Sequence, residues 1–173
     1  MTDSLLVKAV AGTCIGFSFI LVGNAITQTY MTIPALVVDL PKPGTPEHTS
    51  RARLIGKQWP LCWSVGNVFF RPISTIGILG YGYSAFNIYQ EGPLARADWR
   101  VFAVAAALHL TTVVHSAVNM QPINDKLEAL AGRTSEKELG QAEGIARRWA
   151  SWNRVRMVTP VLAGALALSQ LIQ

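Results

Sequence analysis

Only two cysteines, Cys14 and Cys62, occur in the 173 residues, and both lie in apolar surroundings. That argues against the disulfide framework of a small secreted domain and against a cysteine-rich zinc site. Both read as small buried hydrophobes. Carboxylates are missing from the long apolar runs, although the chain has 10 Asp and Glu in all. Of the 3 histidines, His109 and His115 share one run and His48 sits in a polar loop. A metal held by imidazole and carboxylate from several elements therefore has no ligand set, and haem held between histidines of two helices fails for the same reason. A CxxC pair, a glycine-rich phosphate loop and a nucleophile elbow are also absent. Electron-transfer and nucleotide-driven machinery are set aside, and the remaining acid–base chemistry needs no metal.

What is abundant is apolar sequence: half of the residues are hydrophobic and 14% are charged. Four windows, 5–26, 59–86, 99–120 and 155–172, reach the roughly 18 to 20 residues that cross a bilayer as a helix. The expected fold is all-α, a four-helix transmembrane bundle forming one membrane domain over residues 1–173. The first window starts after Met1-Thr2-Asp3-Ser4 with no early base, carries Lys8, and is long for a signal h-region, so it reads as a retained span.

The net charge is +5, and its placement is informative. Lys42, Arg51, Arg53 and Lys57 lie between spans one and two. Lys126, Arg133, Lys137, Arg147, Arg148, Arg154 and Arg156 lie between or at the borders of spans three and four. The positive-inside bias puts both long loops in the cytoplasm and both termini on the far side, with an intracellular membrane such as the endoplasmic reticulum as the expected location. These bases flank membrane segments and form no soluble stripe, so nucleic acid is not an expected partner.

Along the chain, Gly12 and Gly16 make a small-xxx-small pair that would admit a neighbouring helix. Asn24, Thr27, Gln28 and Tyr30 make the end of span one polar, as an interfacial cap or as one wall of a cavity. Pro34 is expected to end the helical geometry, and Leu40 to Pro46 reads as a proline-rich loop; His48, just after it, is expected to be solvated. Span two opens at Trp59-Pro60, with tryptophans at headgroup level. Arg71 lies deep in that window beside Pro72, so it snorkels, shortens the span, or faces a partner inside the bundle.

Span three carries a polar stripe. Thr111, His115 and Asn119 recur every four residues, while His109, Thr112 and His115 step round by threes. Pro122 is expected to stop this span. Ser135 and Glu138 fit a capping box, and an amphipathic segment with Leu139, Ala142, Ile145, Ala146, Trp149 and Trp152 is expected to run on as one helix into span four. Imidazole, amide, guanidinium and indole in an apolar bundle suit a flat aromatic carrying a few oxygens, and also proton abstraction beside a carbonyl. The same histidines could equally serve only as hydrogen-bonding groups inside the bundle.

Two motifs add to this reading. Asn119-Met-Gln-Pro122-Ile-Asn124-Asp-Lys-Leu127 and Trp149-Ala-Ser-Trp152-Asn153-Arg-Val-Arg156 resemble the Asn-x-Pro-x-Asn-x-x-Leu and Trp-x-x-(aromatic)-Asn-x-x-Arg patterns of the DUF1772 family, the membrane proteins that include fungal anthrone oxygenases. One extra residue separates Asn119 from Pro122. The resemblance implies a cofactor-free monooxygenase that converts a polyketide anthrone to an anthraquinone with O2, the aromatic substrate, O2 and membrane lipid being its partners. On that reading His115 is the base with His109 in reserve, and Asn119 and Arg156 stabilise the developing oxyanion. Trp152 stacks on the rings. Asn124 and Asn153 contact substrate or cap helices, and Arg71 joins them if it faces inward. The site would be a pocket between spans three and four, with His115 facing the substrate. A non-catalytic membrane protein that binds or passes an apolar aromatic metabolite is the alternative.

Overall fold

A computed structural model describes residues 4–172; Met1-Thr2-Asp3, whose lack of a base bears on the signal reading, lies outside them. The described residues form helices and no strand. Helix α1 (Leu5–Thr27) passes through a π-helical turn (Gln28–Thr32) into α2 (Ile33–Val37). Helix α3 (Pro46–Glu91) is followed by α4 (Trp99–His115), which continues through a second π-helical turn (Ser116–Met120) into α5 (Gln121–Ala129). Then come α6 (Glu136–Leu139), α7 (Ala142–Asn153) and α8 (Val155–Leu171). The long helices close a ring in which α1 packs on α3 and α8, and α4 on α3 and α8. This is the expected four-helix bundle. The continuous helical segments Leu5–Val37 and Trp99–Gly132 are each long and apolar enough to cross a membrane.

Neither Pro34 nor Pro122 stops its helix, contrary to expectation. Each sits at the second position of the helix that follows a π-helical turn. Proline lacks an N–H and clashes with the carbonyl four residues earlier. Those carbonyls belong to Tyr30 and Val118, which lie inside the widened turns. The π turn absorbs both defects, and the helix goes on. The helix that carries span two starts before Trp59: α3 begins at Pro46, with Thr45 as N-cap accepting from the His48 N–H at 3.1 Å, and runs through Pro60 and Pro72. His48 is therefore buried, in the first turn of α3, and not solvated in a loop.

Two further expectations change. The run into span four is broken at Arg154, between α7 and α8, and Ser135 caps α6 by backbone geometry without a side-chain bond. A Cβ at Gly12 or Gly16 would meet nothing within 4 Å among the described residues, so these glycines do not serve the close packing inside the chain. That task falls to Gly56, against the Ala131 backbone, to Gly77, against His109, and to Gly80, against Cys14. Cys14 is buried and Cys62 half-buried, and both are free.

The interior is layered. One apolar core joins Val7, Ala11, Cys14, Tyr81, Phe102, Ala105, Ala163 and Ala167. A second, at the other end, joins Ile33, Trp59, Leu127, Leu130, Leu139 and Trp149. Between them, on every long helix, lie the buried polar groups: Ser18 and Thr29 on the first, Ser74 on α3, His109, Thr112 and His115 on α4, Asn153 and Thr159 at α7 and α8. Buried polar groups persist only when partnered, and this belt is where the bundle's interhelical hydrogen bonds concentrate.

Candidate active site

Within the belt lies a cleft of about 80 Å³. Its walls come from α1 and its π turn (Leu21, Gln28), from α3 (Trp63, Gly66, Asn67, Phe70, Arg71, Ser74) and from α4 and its π turn (Thr112, Ser116, Ala117, Met120); Gln121, Asn124, Trp149 and Arg156 complete it. Both π turns thus contribute to one site, in line with the tendency of such turns to occur where function needs a side chain re-aimed.

Of the residues proposed from the sequence, Arg156, Asn124 and Arg71 line the cleft. The Arg156 guanidinium donates from Nη1 to Asn153 Oδ1 at 3.1 Å. Ion pairs among the described residues lie elsewhere, at Arg100–Asp98, Arg133–Glu138 and Arg147–Glu143, so no carboxylate neutralises Arg156 there. Arg71 is exposed at the cleft and donates to Asn67 Oδ1 at 3.2 Å. Asn124 lies inside α5, where its Oδ1 accepts from Trp149 Nε1 at 2.8 Å. Asn153 ends α7 with its side chain fully buried, donating to the Ala25 carbonyl at 2.9 Å and to Thr29 Oγ1 at 2.8 Å. Neither asparagine is a helix cap: their amides serve tertiary bonds, because the belt offers buried partners that a cap position lacks.

His115, His109, Asn119, Trp152 and Asn153 are not part of the cleft lining. His115 is one residue from the lining Ser116 and is turned toward α7 and α8. Its Nε2 lies 3.0 Å from the Trp152 carbonyl, its Nδ1 3.1 Å from Asn119 Nδ2, and its ring is 5.6 Å from that of Trp152. The carbonyl partner requires Nε2–H, which leaves the Nδ1 lone pair to accept from Asn119. The break at Arg154 explains that carbonyl, since the last turn of a helix leaves its C=O groups without helical partners. Thr111, placed on the stripe by spacing, is exposed and bonds back to Ala107 at 2.9 Å; Thr112 takes the inward position and meets the Thr159 hydroxyl at 2.6 Å.

His109 is fully buried, with Nε2 2.9 Å from Ser18 Oγ. Ser18 Oγ also meets Tyr81 Oη at 3.0 Å and donates to the Cys14 carbonyl at 2.9 Å. With the serine proton spent on Cys14, the imidazole and the phenol both donate to Ser18. The imidazole Nδ1 has no partner among the described residues, and its edge rests on Gly77. Among the described residues no three His, Cys, Asp or Glu side chains converge as a metal set would.

Spacing alone did not single out Trp63, Asn67, Phe70, Ser74 and Ser116 as cleft residues, whereas Thr112 was on the polar stripe. The α3 members follow a helical face at intervals of three and four, a signal hidden by the apolar residues between them. Gln28, left open as cap or cavity wall, is a cavity wall.

The family model for anthrone oxygenase matches residues 59–166. The monooxygenase hypC of Dothistroma septosporum is 28% identical over 149 residues, covering 84% of this chain and 74% of that protein. The anthrone oxygenase tpcL of Aspergillus fumigatus is 22% identical over 137 residues, covering 79% of this chain and 81% of that protein. No solved structure matches. The matched segment holds every cleft residue except Leu21 and Gln28, and the chain belongs to the anthrone oxygenase family, which makes it an enzyme of the oxygenase type.

Proposed function

We propose that the chain is a membrane monooxygenase that converts a polyketide anthrone to an anthraquinone with O2 and without a metal or organic cofactor. The observation that carries this reading is Arg156, a guanidinium with no carboxylate partner among the described residues, in a cleft walled by Trp63, Phe70 and Trp149. An anthrone loses its C10 proton to give an aromatic anion whose charge rests on the ketone oxygen. A fixed cation at that oxygen favours the anion and the transition state leading to it. The anion reduces O2, a C10–O bond forms as a hydroperoxide, and loss of water across C10 leaves the quinone: one anthrone and one O2 give one quinone and one water.

In this reading His115, whose neighbour Ser116 lines the cleft, accepts the C10 proton at Nδ1 after its ring swings from the Trp152 carbonyl and the Asn119 amide toward the cleft. Asn119 thereby sets the availability of the base, and His109, fully buried against Gly77, supports the bundle through Ser18 and Tyr81. Trp152, 38% exposed and beside His115, is the ring against which an entering aromatic stacks. Multi-pass insertion is supported by the outer face of α3, where Val65, Val68, Phe69, Leu79 and Phe86 are exposed as lipid-facing side chains would be, and the bases between the spans favour cytoplasmic long loops.

Membranes holding the protein, incubated with emodin anthrone under air and corrected for autoxidation, test the reading. Quinone formation with one O2 consumed per anthrone is the expected result. No rate above autoxidation with several anthrones would remove the oxygenase and leave a carrier of aromatic metabolites.

A further inference from the structure

Two cleft residues carry polar atoms that are shielded from solvent and have no hydrogen-bond partner among the described residues: the Gln28 amide oxygen, an acceptor, and the Trp63 indole N–H, a donor. Stranded groups of this kind carry a desolvation penalty that a ligand supplying the missing partner relieves. Gln28 stands on the first π turn and reaches α3 at Gly66, where an added Cβ would sit 3.8 Å from its Nε2. Its placement thus depends on an irregular turn in the first helix, with α3 at ordinary packing distance. Trp63 is half-buried on α3, three residues before that glycine. The other unpartnered buried atoms, Trp59 Nε1 and His109 Nδ1, belong to residues outside the cleft lining.

We infer that Gln28 and Trp63 are specificity-determining residues, Gln28 accepting a hydrogen bond from a ring hydroxyl of the substrate and Trp63 donating one to a carbonyl oxygen. The inference rests on the cleft being the aromatic substrate site proposed above. An acceptor left empty by an unhydroxylated ring keeps its penalty, so a site of this kind discriminates against the analogue that lacks the group. Arg156 attracts the anionic oxygen, while the Gln28 and Trp63 pair fixes which edge of the ring system is presented.

The test uses full-length protein in detergent and equilibrium dialysis with two quinones that do not react. One is 2,6-dihydroxyanthraquinone, whose hydroxyls are free of internal bonds to the carbonyls, and the other is unsubstituted anthraquinone. Gln28→Met is expected to weaken the hydroxylated quinone about tenfold and the unsubstituted one less than about twofold. Trp63→Phe, which keeps a ring and removes the N–H, is expected to weaken both by a similar factor of about five to ten. Because the Gln28 oxygen has no partner to lose, Gln28→Met is expected to melt no lower than the parent.

Equal weakening of both quinones by Gln28→Met, unchanged binding in Trp63→Phe, no binding of either quinone by the parent, or a lowered melting point in Gln28→Met would each overturn the inference. Anthrone turnover that persists with any of these results leaves the oxygenase reading in place. The expected binding pattern without anthrone turnover would uphold the two residues and remove the oxygenase.

Discussion

Trp149 Nε1 donates to Asn124 Oδ1 across 2.8 Å, joining the two motifs Asn119–Leu127 and Trp149–Arg156 through the wall of the cleft. The same indole stands edge-on to Trp59, with centroids 5.1 Å apart. His115, accepted at the Trp152 carbonyl, makes a second link between the stretches that hold these motifs.

Removing one partner strands the other. Asn124→Ala is expected to lower stability by about 1–3 kcal/mol, the usual penalty for a buried donor without an acceptor. Trp149→Phe is expected to cost more, since it also loses contact with Trp59. The double variant should cost less than the two changes summed, because the pair is lost only once. Unfolding in a detergent of fixed composition reads all three, and strict additivity would show that the bond contributes nothing.

On the proposed mechanism His115 is the base and Asn119 its gate, and single variants separate the two. His115→Ala is expected to lower anthrone turnover by about a hundredfold, the lower range for a positioned general base. Asn119→Ala leaves the Nδ1 lone pair without its amide donor and should retain turnover. A fully active His115→Ala would remove the base assignment and leave the oxygenase itself untouched.

The bundle was legible because periodicity and window length survive any detail of packing: α1, α3, α4 and α8 cover the four apolar runs. Helix ends were not legible at the prolines. Proline chemistry reads as a stop at Pro34 and Pro122, and only a π turn ahead of it, invisible to a period of 3.6, lets the helix continue. The stripe on α4 was legible as polar, yet it splits by one residue's rotation. Thr112 and Ser116 line the cleft, Thr112 while also meeting Thr159 on α8, whereas His115 turns to the Trp152 carbonyl of α7 with Asn119 on its other nitrogen, and a 100° step cannot say which neighbour stands where. Gly77 shows the same limit, since a lone glycine in a helix does not announce that an imidazole rests on it.

That contact makes Gly77 a sensitive position. A Cβ there would overlap the His109 ring, so Gly77→Ala forces the imidazole away from Ser18 or pushes α3 from α4. Overpacking of this kind costs about 1–3 kcal/mol. Gly82→Ala on the same helix would meet nothing within 4 Å, and helix propensity favours it by about 0.8–1 kcal/mol. Melting temperatures that fall for Gly77→Ala and rise or hold for Gly82→Ala are the expected pair, and equal shifts would deny the packing.

Lys42 is exposed in the turn between α2 and α3, at the end of the bundle where the basic segments gather. With Cys14 and Cys62 replaced by alanine, Lys42→Cys should react with a membrane-impermeant maleimide from the cytoplasmic side in intact microsomes. Labelling only after the microsomes are opened would reverse the proposed topology.

Arg156 is the residue whose loss should separate binding from chemistry. Its charge has no carboxylate partner among the described residues, and its one side-chain bond is to Asn153. If the guanidinium stabilises the anion as it forms, Arg156→Met lowers kcat by about a hundredfold while KM for the neutral anthrone changes little, the pattern of an interaction made in the transition state. Arg156→Lys keeps the charge and loses the planar fork that holds Asn153, so it should recover part of the rate. Added guanidinium should also raise turnover in Arg156→Ala, which a purely structural role would not produce. Arg100→Met, altering an arginine exposed beside Asp98, serves as the control and should leave kcat within about twofold. A kcat for Arg156→Met equal to that of the parent would take the arginine out of the reaction, and with it the observation on which the anionic mechanism stands.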